Sequence, residues 1–110
     1  IISVLFGKIL DVAVNLKKNS KNFGKVYYFF LSPGDMIFIP NFFAHGYECL
    51  SNNSTIIYHL DKYRDPKNEN GIIWSDKKLG IKLPCKNVIM SDKDQKLGSF
   101  DYFAKKYKTL

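Results

Sequence analysis

Apolar and polar positions alternate along residues 8–16, KILDVAVNL. The even positions from 10 to 16 are all apolar, whereas the odd positions include Asp11 and Asn15. Because successive side chains of a strand point to opposite faces, this alternation predicts a β-strand with one uniformly apolar face.

Four further strands are predicted between turn-forming residues. A β-branched and aromatic run is followed by the turn SPGD, a short strand ends at Pro40, and two later runs flank the turn SNNS as a hairpin. Regularly spaced strands of this length are typical of a β-sandwich or barrel, so we expect an all-β fold. The four predicted strands cover residues 25–31, 36–40, 45–50 and 55–60.

The pattern changes from residue 61. The stretch DKYRDPKNENG is polar and loop-like, and IIWSDKKLGIKLP carries short apolar pieces, which we interpret as a meandering cover over the barrel mouth. Near the end, Phe100, Phe103, Ala104 and Tyr107 recur at helical intervals, which predicts a short amphipathic C-terminal helix.

Composition indicates one globular domain over residues 1–110, since 45% of the residues are hydrophobic and 15% are aromatic. The net charge of +7 raises the question of nucleic-acid binding. However, Arg64 is the only arginine and the lysines are scattered, whereas capture of phosphates and bases favours guanidinium groups. We therefore expect no nucleic-acid partner, and an anionic small molecule remains compatible.

Cysteine usage and hydropathy predict the compartment. Cys49 and Cys85 are far apart and form no CxxC motif, as expected for two reduced thiols in a cytoplasmic protein. The apolar residues 1–6 end at Gly7, well short of a membrane span or a secretory signal. We expect no membrane association.

His45 lies in the stretch GDMIFIPNFFAHGYEC, residues 34–49, among apolar neighbours. Its imidazole could be a catalyst, a metal ligand or a hydrogen-bonded core group. In small β-barrels of the cupin type, a Gly-Asp turn, a proline and a histidine recur in this arrangement. Metal-dependent cupins use more histidines than His45 and His59, and no HxH pair is present, so we predict neither a metal nor another cofactor.

Several segments, in order, resemble those of the dTDP-4-dehydrorhamnose 3,5-epimerase family of metal-free cupins. They are GKILDVAVNL, NSKNFGKV, IPNFFAHGYECLS, IIYHLDKYRDP, GIIWSDKKLGI and SDKDQ, between about Gly7 and Leu97. The family patterns FDVAVDLR, IP.GFAHGF..LS, DYY.P and LS.KD are similar to them. The resemblance implies a cupin, or jelly-roll, β-barrel that epimerises a dTDP-linked 4-keto-6-deoxyhexose by abstracting protons next to the C4 ketone.

The same resemblance assigns roles to four residues. Tyr58 matches the proton-donating tyrosine, and Asp94 matches the aspartate that orients the basic histidine. His45 matches a pocket histidine near the sugar, and Asp11 a buried pocket carboxylate. Each also has a structural alternative: a core tyrosine, a helix or turn cap, a hydrogen-bonded core histidine and a residue on a solvated strand face, respectively.

This chain departs from the family pattern at several points. At DYY.P it has DKYRDP, so Tyr63 matches the first tyrosine and Arg64 replaces the second, and we assign both to substrate binding. Phe42 stands where the pattern has glycine. The family's basic histidine belongs to a segment RGLHxQ, which the 110 residues lack, as they lack the enolate-stabilising lysine that follows it.

Two hypotheses account for the missing base. The chain is either an N-terminally truncated epimerase domain or a short relative that binds a nucleotide sugar or a carbohydrate without turning it over. Because loss of the base removes most of the rate in proton abstraction, we expect little epimerase activity from the chain alone. We also expect a homodimer, since an aromatic-rich sheet with an open edge favours pairing.

Overall fold

Two antiparallel sheets of three strands each form the body of the chain in the computed structural model, which describes residues 1–62, 71–84 and 89–106. The sheet orders are β4-β1-β6 and β3-β2-β5. The strands are β1 Ile2–Phe6, β2 Ile9–Asn15, β3 Val26–Leu31, β4 Met36–Ile37, β5 Phe43–Cys49 and β6 Thr55–Tyr58, and the helices are α1 Asp92–Gln95 and α2 Phe100–Lys106.

The all-β prediction is confirmed, and five of the six strands coincide with predicted ones. β2 and β3 match the predicted bounds to within a residue or two, whereas β4 is shorter and β5 begins two residues earlier. The strand that the sequence did not predict is β1, because its residues ISVLF form an apolar run without a polar alternation.

The predicted hairpin between the fifth and sixth strands is wrong. β5 pairs with β2, and β6 pairs with β1 in the other sheet. β1 continues into β2 on one side, and β5 continues into β6 on the other. The two paired segments therefore form one long antiparallel ribbon, which bends from the second sheet, β2 with β5, into the first sheet, β1 with β6. The sharp bend depends on Gly7, whose φ of +82° is open to glycine but strained for other residues.

The bend at Gly7 is held by the loop that joins β5 to β6. The Lys8 amide donates to Ser51 Oγ at 3.1 Å, and the Leu50 amide donates to the Lys8 carbonyl at 2.9 Å. The loop packs so closely that a Cβ on Gly7 would lie 2.3 Å from the Asn53 carbonyl oxygen. Both strands of the ribbon therefore change sheet at the same corner.

Every residue of β2 is buried because both of its faces are covered. On the inner face, towards the first sheet, Ile9 packs with Val4 and Leu31. On the outer face, Val14 and Leu16 pack against Leu79 and Phe103 from the C-terminal part of the chain. The segment that we predicted to cover the barrel mouth thus covers, in its described part, the outer face of the second sheet.

The predicted C-terminal helix is confirmed as α2, which begins at Phe100, while Tyr107 lies outside the described residues. Phe103 is the buried residue of its apolar side, and the Phe100 ring lies 5.3 Å from that of Phe23. In the part of the chain that the structure describes, no helix has the length and apolar character needed to cross a membrane.

Candidate functional site

The inner face of the second sheet carries most of the candidate residues. The register places Ala13 opposite His45 and Asp11 opposite Tyr47. Because alternate residues of a strand share a face, Asp11 and Ala13 of β2 lie on the same side as His45 and Tyr47 of β5. This part of the site is therefore built on two paired strands, β2 and β5.

Asp11 and His45 form a close pair across these strands. His45 Nε2 lies 2.6 Å from Asp11 Oδ2, and the two side chains are 17% and 0% exposed. A carboxylate can only accept, so Nε2–H donates to Oδ2, and Nδ1 is the ring nitrogen outside this pair. The second carboxylate oxygen, Oδ1, is also buried and has no hydrogen-bond partner among the described residues.

Tyr58 reaches the same site from the first sheet. Its ring centroid lies 6.1 Å from that of His45, edge-on at 78°, and 6.3 Å from that of Tyr47. Partial burial raises the pKa of the Tyr58 phenol, and the Tyr47 hydroxyl, the Asp11 carboxylate and the Cys49 thiol add to the rise. The phenol therefore stays protonated at neutral pH and can serve as a proton donor.

The arrangement brings a proton donor and a proton acceptor to one face of a sheet. The Tyr58 phenol is the donor, and the group that can accept is the second ring nitrogen of His45, whose first nitrogen pairs with Asp11. Tyr58 and Tyr47 are 45% and 44% exposed, so a ligand can reach them from solvent. Such a pair suits general acid–base chemistry or the binding of a polar ligand.

The structure brings together three of the residues that the sequence selected: Asp11, His45 and Tyr58. Asp11 is fully buried, so the alternative that it lies on a solvated strand face is wrong. Asp94 lies on α1, where its amide donates to Ser91 Oγ. Asp94 is exposed, and among the described residues no hydrogen bond or ion pair joins it to the other three. Its role stays a prediction.

Two other candidates, Tyr63 and Arg64, lie outside the described residues. Conversely, the structure adds Tyr47 and Cys49, which sequence analysis did not select. The signal was present, because every second residue from His45 along a strand must share its face.

The described residues also bear on the metal hypothesis. No three His, Cys, Asp or Glu side chains within residues 1–62, 71–84 and 89–106 converge in a way that could hold a metal ion. His59 is exposed, and its amide donates to the Ile1 carbonyl at 2.8 Å. The metal-free site stays a prediction.

Sequence comparison identifies the relatives of this chain. A family model described as dTDP-4-dehydrorhamnose 3,5-epimerase matches residues 1–101. The dTDP-4-dehydrorhamnose 3,5-epimerase of Shigella flexneri is 37% identical over 108 residues, which is 94% of this chain and 60% of that protein. The Escherichia coli enzyme of the same name is 36% identical over 98 residues, 86% of this chain and 53% of its own length.

Comparison with solved structures also finds epimerases. The epimerase of Legionella pneumophila in complex with dTDP-4-keto-L-rhamnose superposes with a TM-score of 0.88 at 31% identity, covering 96% of this chain and 57% of that one. The Mycobacterium tuberculosis epimerase gives a TM-score of 0.90 at 26% identity, covering 96% and 55%. These similarities confirm the cupin jelly-roll prediction.

The chain thus spans between 53% and 60% of the length of the relatives compared above. The family model matches this chain over residues 1–101. This range includes β2, β5 and β6, the three strands that carry Asp11, His45 and Tyr58. The chain belongs to the dTDP-4-dehydrorhamnose 3,5-epimerase family.

Proposed function

We propose that this chain binds a dTDP-linked 4-keto-6-deoxyhexose on the inner face of its second sheet and acts in 3,5-epimerisation next to the C4 ketone. The observation that carries the proposal is the contact of Tyr58 with the Asp11–His45 pair on that face. Family membership and the relative with dTDP-4-keto-L-rhamnose bound support the substrate class.

Epimerisation requires a proton to leave the carbon beside the ketone and another to return on the opposite face of the sugar. In the proposed site, Tyr58 donates the returning proton, since its phenol is protonated at neutral pH. The Asp11–His45 pair binds and orients the sugar, because its imidazole is held in one orientation by the buried carboxylate.

Asp94, Tyr63 and Arg64 complete the proposed site. Asp94 matches the aspartate that orients the family's basic histidine, which these 110 residues lack, and we assign Tyr63 and Arg64 to contact with the substrate. The 110 residues contain two histidines, neither within an RGLHxQ segment, so we expect this chain alone to turn over its substrate slowly. The same observation favours a second candidate function, a nucleotide-sugar-binding domain without catalysis.

Proton exchange separates the two functions. The chain is mixed with dTDP-4-dehydro-6-deoxyglucose in deuterated water, and deuterium at C3 and C5 is followed by NMR, beside calorimetric titration of binding. We expect binding, with exchange that is slow but lost in Tyr58→Phe. Binding without any exchange would favour the binding domain, rapid exchange would contradict the expected impairment, and absence of binding would contradict both functions.

We further propose a cytoplasmic homodimer. The outer strand β3 exposes 40% of Phe29 and 70% of Phe30, and open apolar strand edges favour pairing with a second copy. The free thiol of Cys49 supports a reducing compartment. Light scattering after size exclusion should give twice the mass of the chain and a smaller mass for Phe30→Lys, and a monomer of the unmodified chain would contradict the proposal.

A further inference from the structure

Tyr47 lies between the two parts of the proposed site, which are Tyr58 on the first sheet and the Asp11–His45 pair on the second. Its position directly opposite Asp11 fixes its backbone in the pairing of β2 with β5. From there its ring lies 6.4 Å from that of His45 and 6.3 Å from that of Tyr58. Since Tyr58 belongs to the other sheet, Tyr47 connects the proposed proton donor to the sheet that carries the Asp11–His45 pair.

The surroundings of Tyr58 leave few groups that could orient its phenol. On β5 the titratable groups facing it are His45, Tyr47 and Cys49, and on β2 the facing group is Asp11. Its direct neighbour on β1 is the buried, apolar Ile2. His45 meets Tyr58 edge-on, ring against ring, and its Nε2 is already taken by Asp11. The Tyr47 hydroxyl, on the ring that lies 6.3 Å from that of Tyr58, is an acceptor that the Tyr58 proton can reach.

We propose that Tyr47 is a positioning residue for Tyr58, whose hydroxyl donates to the Tyr47 oxygen in the free protein. This interaction holds the phenol at one orientation and keeps its proton in place until a substrate takes it. The family pattern quoted above has phenylalanine at this position, in FAHGF, whereas this chain has FAHGY. The inference rests on the proposed function for the role of Tyr58, but the contact itself does not.

A physical consequence distinguishes this interaction from simple packing. A hydrogen bond donated by a neutral phenol stabilises the protonated form and raises its pKa. The Tyr47 hydroxyl contributes to the raised pKa of Tyr58 after the larger effect of burial. Loss of that hydroxyl should lower the pKa of Tyr58, while burial and the Asp11 charge keep it above the ordinary value.

The test is an NMR titration of the folded chain labelled with ¹³C at tyrosine Cζ, in which the Tyr58 signal is the one missing from Tyr58→Phe. We expect Tyr58 in Tyr47→Phe to titrate on the order of one pH unit below the unmodified chain. The matched control is Tyr27→Phe, which removes a hydroxyl from a ring of the same sheet that packs 6.0 Å from Phe43. An equal Tyr58 titration in Tyr47→Phe and Tyr27→Phe would overturn the proposal.

A reciprocal measurement covers the case in which Tyr47→Phe does not fold. At neutral pH, Tyr58→Phe should shift the Tyr47 Cζ signal more than that of the exposed Tyr102, and an unmoved Tyr47 signal would overturn the proposal. Neither measurement uses turnover. If no substrate exchange is seen but the Tyr58 titration depends on Tyr47, the proposed function alone is rejected. If exchange is seen but the Tyr58 titration does not depend on Tyr47, the role of Tyr47 alone is rejected.

Discussion

Asp11 and His45 meet diagonally across β2 and β5, because the register places Ala13, and not Asp11, directly opposite His45. The small side chain of Ala13 leaves room for the imidazole to lean along the sheet towards the carboxylate. The pair thus depends on Asp11, Ala13 and His45, which share one face of the sheet. The Asp11 side chain is entirely buried.

Asp11→Ala should destabilise the fold by roughly 2–5 kcal/mol, because it leaves the His45 N–H unpaired in a mostly buried place. Urea unfolding of the purified chain measures this change. The control is Asp61→Ala, at an exposed carboxylate, for which we expect about 0.5 kcal/mol or less. Similar losses for the two variants would show that the Asp11–His45 contact does not stabilise the fold.

Gly7→Ala should prevent the bend between β1 and β2. The added Cβ would lie 2.3 Å from the Asn53 carbonyl oxygen and 2.4 Å from Ser54 Oγ, in addition to the strain of φ +82°. Gly34 has a similar φ of +92° but no atom within 4 Å of its would-be Cβ, so Gly34→Ala isolates the strain, about 1 kcal/mol. We expect Gly7→Ala to lose several times more stability in urea unfolding. Equal losses of stability in the two variants would show that the close contacts around Gly7 do not matter for the fold.

Elements with a local pattern could be predicted from the sequence, whereas strand partners that depend on distant residues could not. Alternation over residues 8–16 predicted β2 because a strand's pattern is local. The partners of β5 and β6 depend instead on the bend at Gly7, 44 residues before Ser51 at the start of their connecting turn, and no local pattern reports it. Turn residues between two strands show that the chain reverses there, but not that the strands share a sheet.

Some residues of the candidate site could likewise be predicted from the sequence, and others could not. Asp11 could not be identified as buried from its strand, because a polar odd-numbered face is normally the solvated one. The family resemblance selected Asp11, His45 and Tyr58 as a set, and the structure brings them into contact. The resemblance did not select Tyr47, because there this chain departs from the pattern.

Phe103→Ala should loosen the C-terminal segment from the outer face of the second sheet. Phe103 is 9% exposed and packs with Val14, Leu16 and Leu79, so its loss leaves a cavity and should cost about 3–5 kcal/mol. Tyr102→Ala, one residue earlier in α2 and 59% exposed, is the control and should cost much less. Thermal unfolding checks the difference, and equal melting temperatures would show that α2 does not stabilise the sheet.

Tyr58→Phe should make the fold less sensitive to alkaline pH. The pKa of Tyr58 lies above its ordinary value of 10.0 in the folded protein, so between about pH 10 and the folded pKa the native state keeps a proton that the unfolded state releases. In that pH range the folded state binds more protons than the unfolded state, so the free energy of unfolding falls as pH rises. Stability should therefore be unaffected by this group below about pH 10 and fall above it, by at most about 1.4 kcal/mol per pH unit and less in practice because the ring is 45% exposed.

Urea unfolding at intervals from pH 8 to 11 tests this sign. The unmodified chain and Tyr102→Phe, which removes an exposed phenol, should lose stability above about pH 10 more steeply than Tyr58→Phe does. The unmodified chain and Tyr58→Phe share every other tyrosine and every lysine, so the difference between their slopes reports the loss of the Tyr58 phenol. Parallel slopes for the three proteins would mean that the Tyr58 phenol ionises equally well in the folded and unfolded chain, and the proposed proton donor would then lack the environment described for it.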